Sequence, residues 1–192
     1  VLRLCRTADV TFLALHGAMG ENGQLQATLD VHGIRYTGSG YLGSALAMDK
    51  DIAKRLFREA DILTPDWVHC DLSRQTAETA AAHIEETVGY PCVVKPCSCG
   101  SSVGVSMAED WEELMQALTL AMQYEGDIIA ERRIQGREVT VSVLGGRVLP
   151  AVEIVPHEGF YDYANKYQAG AVEELCPARI ALAEASALAD AA

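Results

Sequence analysis

Nowhere does the chain hold the roughly 18 consecutive apolar residues that a membrane helix needs. Nor does a basic and apolar start run into a small-residue cleavage site, as a secretory leader would. A cytoplasmic protein is the expectation. Positive charge is scarce as well: 15 Lys and Arg stand against 27 Asp and Glu, a net charge of −12, which excludes a general attraction to nucleic acid or to an anionic membrane. Any site for an anion must therefore be built locally. The six cysteines, Cys5, Cys70, Cys92, Cys97, Cys99 and Cys176, are even in number, yet no other mark of a secreted disulfide domain accompanies them. Cys97-Ser98-Cys99 lacks the second half-site of a structural zinc motif, so the cysteines read as reduced thiols and no metal ligand is assigned. Internal repeats, low-complexity tracts, a Walker A loop and a Gly-x-Gly-x-x-Gly helix start are also missing.

What is present has the balance of a globular chain, 49% hydrophobic and 22% charged over 192 residues, enough for one or two compact units. Val10 to Leu15 is a short apolar run that reads as a buried strand stopping at His16-Gly17. Gln24 to His32 has helical spacing with Gly33 as its stop, Ile34 to Thr37 reads as a brief strand, and Leu42 through Leu56 is continuous helix material. After Pro65, Thr76 to Val88 reads as a helix ending at Gly89-Tyr90-Pro91, and Cys92 to Lys95 as a strand. Pro96 to Gly104 is a loop of small residues, and Val103 to Ser106 resumes extended structure. Trp111 to Tyr124 has helical period. Ile128 to Glu131, Glu138 to Leu144 and Arg147 to Val155 read as strands, with Gly145-Gly146 as a hairpin turn. The tail from Ala178 to Ala192 is weakly amphipathic.

Chemistry concentrates around Gly100-Ser101-Ser102-Val103-Gly104, whose small residues let backbone N–H groups approach a phosphate. Lys95 ends the apolar strand just before it, and Lys50 offers a second cation on a helix. Taken singly, the loop also fits a plain turn and each lysine a solvated charge. Lys54 reads as lying away from the loop, so its loss should matter far less than that of Lys95.

Taken together, several segments resemble the ATP-grasp ligases in order and spacing: Met48-Asp49-Lys50, Val93-Val94-Lys95-Pro96, the run from Gly100 to Ser106, Glu131-Arg132-Arg133-Ile134 and Gly136 to Val141. A narrower resemblance, to the D-alanine–D-alanine ligases, rests on Leu15-His16-Gly17, Gly20-Glu21-Asn22-Gly23 with Gln26, Tyr36 to Gly40, Ser44 to Lys50, and Phe160-Tyr161-Asp162-Tyr163 with Lys166-Tyr167. It covers nearly the whole chain from Phe12 to Pro177. The fold it implies is α/β: residues 1–48 end an N-terminal α/β domain, 49–133 form a central α+β ATP-grasp subdomain, and 134–192 begin a C-terminal one.

In that family one D-alanine carboxylate attacks the γ-phosphate of ATP, and the amine of a second D-alanine attacks the resulting acyl phosphate. The resemblance implies that Lys50 and Lys95 bind ATP phosphates while Ser101, Ser102 and Val103 close over them through backbone N–H groups. It places adenine and ribose on Glu131, the backbone of Arg132 and Ile134, and the carboxylate of Glu138. His16 would contact the reacting phosphoryl-acyl group, Ser101 would also position substrate, and Lys166 and Tyr167 would sit on a loop closing over both. A tyrosine at position 167 goes with D-alanine, rather than D-lactate, as the second substrate. A homodimer and Mg²⁺ are implied too.

The family's substrate-binding N-terminal motif is expected before Val1, and its Mg²⁺-holding Arg-x-Asp and Glu-x-Asn segments after Ala192. Mg²⁺ wants carboxylate oxygens beside the phosphates, so the polypeptide alone is not expected to be a competent ligase. Two rivals stay open: another ATP-grasp carboxylate–amine ligase, and a non-catalytic nucleotide-binding remnant.

Overall fold

A computed structural model describes residues 1–157, 168 and 170–192. It divides into two compact units, Val1–Arg133 and Ile134–Ala192.

The first unit opens with four helices, α1 (Leu2–Cys5), α2 (Ala18–Glu21), α3 (Gln24–Val31) and α4 (Tyr41–Met48), followed directly by α5 (Lys50–Glu59). The strand expected over Val10 to Leu15 does not form. Thr11 alone makes a parallel bridge, to Tyr36, and the strand expected over Ile34 to Thr37 shrinks to the same bridge. A strand persists only where neighbouring chain satisfies its N–H and C=O groups. Among the described residues Thr11 alone in this segment gains backbone partners across from it, at Arg35 and Thr37; the Leu13 amide takes a side-chain acceptor, Thr37 Oγ1 at 3.1 Å, and Phe12 is left 76% exposed. The helix expected from Leu42 through Leu56 is two helices, because Asp49 leaves the helical region at ψ 110° and its carboxylate accepts from the Ile52 amide at 3.0 Å. Aspartate competes with the helix backbone in this way and is favoured as a cap.

The core of the unit is a four-stranded antiparallel sheet in the order β1 (Trp67–Asp71), β4 (Asp127–Arg132), β2 (Cys92–Pro96), β3 (Ser106–Ala108). Two helices, α6 (Ala77–Thr87) and α7 (Trp111–Ala121), cover one face. Both start at side-chain caps that hold an otherwise unpaired amide: Thr76 accepts from the Thr79 amide at 3.3 Å and Asp110 from the Glu113 amide at 2.9 Å. Alternate strand residues Val68, Cys70, Cys92, Val94, Ile128 and Ala130 point into a core completed by Ala80, Ala81, Ile84, Leu114, Leu118 and Ala121. The other residues face the opposite side, with Trp67, Glu131 and Val93 in one cross-strand row and His69, Ile129 and Lys95 in the next. Strand β1 escapes the sequence reading, although Val68 and Cys70 alternating with His69 after Pro65 carry its period-2 signal.

In the second unit β5 (Glu138–Thr140), β8 (Val152–Pro156) and β9 (Val172–Leu175) form an antiparallel sheet in that order. The hairpin β6 (Val143–Leu144) and β7 (Arg147–Val148) turns at Gly145-Gly146, both with positive φ. The two long strands read from the sequence here are each broken in two, and β9 was not foreseen. The tail forms α8 (Leu182–Ala191).

Candidate functional site

The open face of the four-stranded sheet gathers the charged residues. Glu131 carries a side chain only 12% exposed, and each of its oxygens accepts from a different lysine. Lys95, across the sheet on β2, holds Oε1, and Lys54, from α5, holds Oε2 at 2.7 Å. Burial acts first to raise the Glu131 carboxyl, but the adjoining Lys95 and Lys54 ammoniums together outweigh it and hold the group below its ordinary range. Lys54 is 6% exposed; its ammonium also donates to Thr64 Oγ1 at 2.7 Å and lies 5.0 Å from the centre of the Trp67 ring. Lys54 does lie away from the loop, yet it is buried against Glu131: helical spacing puts positions 50 and 54 on one face of α5, and both side chains turn toward the sheet.

Lys50, at the start of α5, reaches the loop that follows β2. Its ammonium donates to the carbonyls of Pro96 at 3.0 Å, Cys97 at 3.2 Å and Cys99 at 2.7 Å, and its amide donates to Cys97 at 3.1 Å. Burial first, then the Lys95 charge, push the Lys50 ammonium below its ordinary value; carbonyl acceptors favour the charged form. The far side of the loop is held by Glu125, whose carboxylate accepts from Ser98 N and Ser98 Oγ, both at 2.8 Å.

Within the loop, Ser101 and Ser102 both take positive φ, 54° and 61°. Two consecutive left-handed non-glycine residues are uncommon and collect at functional sites. Gly104, at φ 69°, lets the loop return tightly: a Cβ there would lie 2.8 Å from Pro96 Cγ and from Tyr124 Cδ2. Extended structure therefore resumes at Ser106, later than the sequence suggested. Burial pushes the Cys97 thiol up to about 12, which keeps it protonated and unreactive.

The loop also meets the segment holding His16. A Cβ on Gly100 would stand 3.5 Å from Glu21 Oε2 and 3.9 Å from Gly17 Cα, and the Glu21 carboxylate accepts from the Gly17 amide. His16 is exposed beside that turn. The structure thus gathers Lys50, Lys95 and Glu131 with the loop bearing Ser101, Ser102 and Val103, and sets the His16 turn against Gly100. The Arg132 amide is already engaged, donating to the Asp66 carbonyl at 3.0 Å, so only its carbonyl is left as a candidate for adenine. Ile134 and Glu138 belong to the second unit, with Glu138 opening β5. Lys166 and Tyr167, with Phe160, Tyr161 and Tyr163, lie outside the described residues.

An antiparallel sheet backed by two helices, with a glycine- and serine-rich loop and paired lysines on its open side, is an ATP-grasp fold, as its structural neighbours are. The family model for the C-terminus of D-ala D-ala ligases matches residues 56–192 and that for their N-terminus residues 2–39. The chain belongs to the D-alanine–D-alanine ligase family. It is 46% identical to a D-alanine–D-alanine ligase of Geobacter sulfurreducens over 88% of this chain and 52% of that protein. Among solved structures, a D-Ala:D-Ser ligase of Enterococcus faecalis superposes with a TM-score of 0.83 at 35% identity, covering 96% of this chain and 54% of that one. A D-alanine–D-alanine ligase of Bacillus anthracis complexed with ATP superposes with a TM-score of 0.80 at 29% identity, over 99% and 59% respectively. The chain spans about half the length of the curated relatives it matches. No helix among the described residues is long and apolar enough to cross a membrane.

Proposed function

We propose that the chain is the nucleotide-binding part of an ATP-dependent D-alanine–D-alanine ligase, which makes D-alanyl-D-alanine for peptidoglycan synthesis in the cytoplasm. The observation that carries this reading is the meeting of Lys50, Lys95 and Glu131 beside the Ser101-Ser102 turn. In a chain of net charge −12, ammoniums gathered on one sheet face are how a local anion site is made. The donor set fits a triphosphate. ATP supplies the phosphoryl group that activates a carboxylate. Lys95 and Lys50 hold its phosphates, Lys50 by releasing one of the three loop carbonyls it bonds, and the backbone of Ser101, Ser102 and Val103 covers them, the Val103 amide first leaving the Gly100 carbonyl at 3.2 Å. Glu131, the Arg132 carbonyl, the backbone of Ile134 and the Glu138 carboxylate take adenine and ribose.

His16 and Ser101 serve the substrate side, as do Lys166 and Tyr167, which lie outside the described residues; excluding water there keeps acyl transfer from being lost to hydrolysis. In this reading residues 1–48 end the substrate domain, 49–133 are the central ATP-grasp subdomain and 134–192 begin the C-terminal one. Dimeric assembly goes with it. Among the described residues no three His, Cys, Asp or Glu side chains converge as metal ligands. The described donors do not fit Mg²⁺.

The likeness to a D-Ala:D-Ser ligase makes the acceptor the finest part of the proposal, and Tyr167 favours D-alanine. The test is ADP release and dipeptide formation by the product of the complete reading frame, supplied with ATP, Mg²⁺ and D-alanine. D-Alanine-stimulated ADP release with D-alanyl-D-alanine as product is expected. Stimulation by L-amino acids but not by D-alanine refutes the assignment. Dipeptide formation should be absent when the 192-residue chain is assayed alone.

A further inference from the structure

Lys54 occupies the interior of the charged cluster, and neither the motifs nor the roles above give it work. Its geometry does. The ammonium is 6% exposed and bonded to Thr64 Oγ1 and Glu131 Oε2, both at 2.7 Å, with the Trp67 ring 5.0 Å away. Trp67 is itself held in place, donating from Nε1 to Asp51 Oδ1 at 2.8 Å on that side of the ammonium. Burying a charge is costly unless it is paired and fully bonded. Here the pairing has a consequence for Lys95. Glu131 alone would neutralise Lys95, and an ammonium cancelled by a carboxylate attracts phosphate weakly. With Lys54 on the second oxygen, one carboxylate is shared between two ammoniums and a unit of positive charge is left over, in partly buried surroundings where it is little screened.

We propose that Lys54 is a positioning residue of the nucleotide site: by occupying Glu131 Oε2 it balances the carboxylate and leaves the charge of Lys95 available to the phosphates. Lys54 touches no phosphate and acts through Glu131. The inference rests on the ATP-site reading above, and its test separates the two.

ATP affinity is titrated in the product of the complete reading frame, in wild type, Lys54→Met, Lys54→Arg, Glu131→Gln and the Lys54→Met/Glu131→Gln double variant, with thermal unfolding of each recorded alongside. Lys54→Met should weaken ATP binding about tenfold, the size of one charge-assisted contact, and Lys54→Arg should recover most of it. Once Glu131 is Gln there is no carboxylate to balance, so the same Lys54→Met change should cost markedly less. Should Lys54→Met not fold, Lys54→Gln keeps a donor for Glu131, loses only the charge and carries the same comparison. A lowered unfolding temperature with unchanged ATP affinity makes Lys54 a structural residue only and overturns the proposal. An equal loss with and without Glu131 also overturns it. Wild type that fails to bind ATP overturns the ATP-site reading and this inference together, whereas wild type that binds alongside an unaffected Lys54→Met overturns the inference alone.

Discussion

Replacing Lys50 with methionine keeps the length of the side chain and removes the one ammonium that joins α5 to the loop after β2. Three carbonyls then lose a charged donor: Pro96 at 3.0 Å, Cys97 at 3.2 Å and Cys99 at 2.7 Å. Cys97 keeps the Lys50 amide, at 3.1 Å, because the backbone is unchanged. A hydrogen bond from a charged donor contributes about 1.5–3 kcal/mol net. Part of the gain from three acceptors is offset by burying the ammonium, whose lowered pKa has burial as its first cause. The expected local loss is therefore about 2 kcal/mol, or about thirtyfold in the opening equilibrium. Hydrogen exchange reads this directly. The amides of Cys97, bonded to Asp127 O at 2.9 Å, and of Ser98, bonded to the Glu125 carboxylate at 2.8 Å, should exchange about thirtyfold faster. Amides of α6 and α7, packed in the core on the other face, should not change. Unaltered exchange at Cys97 and Ser98 would refute the reasoning. So would equal acceleration throughout the first unit, which would mean global destabilisation.

Acid should expose the Glu131 cluster. A carboxyl held below its ordinary range contributes stability above its unfolded value near 4.5 that is lost as the pH falls through the lower folded value. The stability gap between wild type and Glu131→Gln, from denaturant titrations, should thus narrow below about pH 4.5, and a gap independent of pH would argue against the ion pairs. Gly104→Ala combines a positive φ of 69° with a Cβ 2.8 Å from Pro96 and Tyr124, and should cost about 2–4 kcal/mol in urea unfolding. A loss below about 0.5 kcal/mol, the size of an ordinary surface change, would mean the loop relaxes freely.

The sequence by itself determined the local pieces. Helical period and capping residues marked α3, α6 and α7, the glycine pair marked the β6–β7 turn, and apolar runs bounded by small residues marked β2 and β4. The motif order gave the family, later shown by the matches over residues 2–39 and 56–192. These signals are short-range, and each is written within a dozen or so residues. What only the tertiary structure decided involves partners far apart in the chain. Lys54 and Glu131 are separated by 77 positions and Lys50 and Cys99 by 49, and no local pattern distinguishes Lys54 from a solvated lysine on an amphipathic helix. Its burial follows from α5 packing on the sheet face that carries Glu131. The failed strand at Val10 to Leu15 has the same cause in reverse: a run with strand composition becomes a strand only when a neighbouring backbone takes up its hydrogen bonds, and among the described residues Thr11 alone there finds a backbone partner across from it.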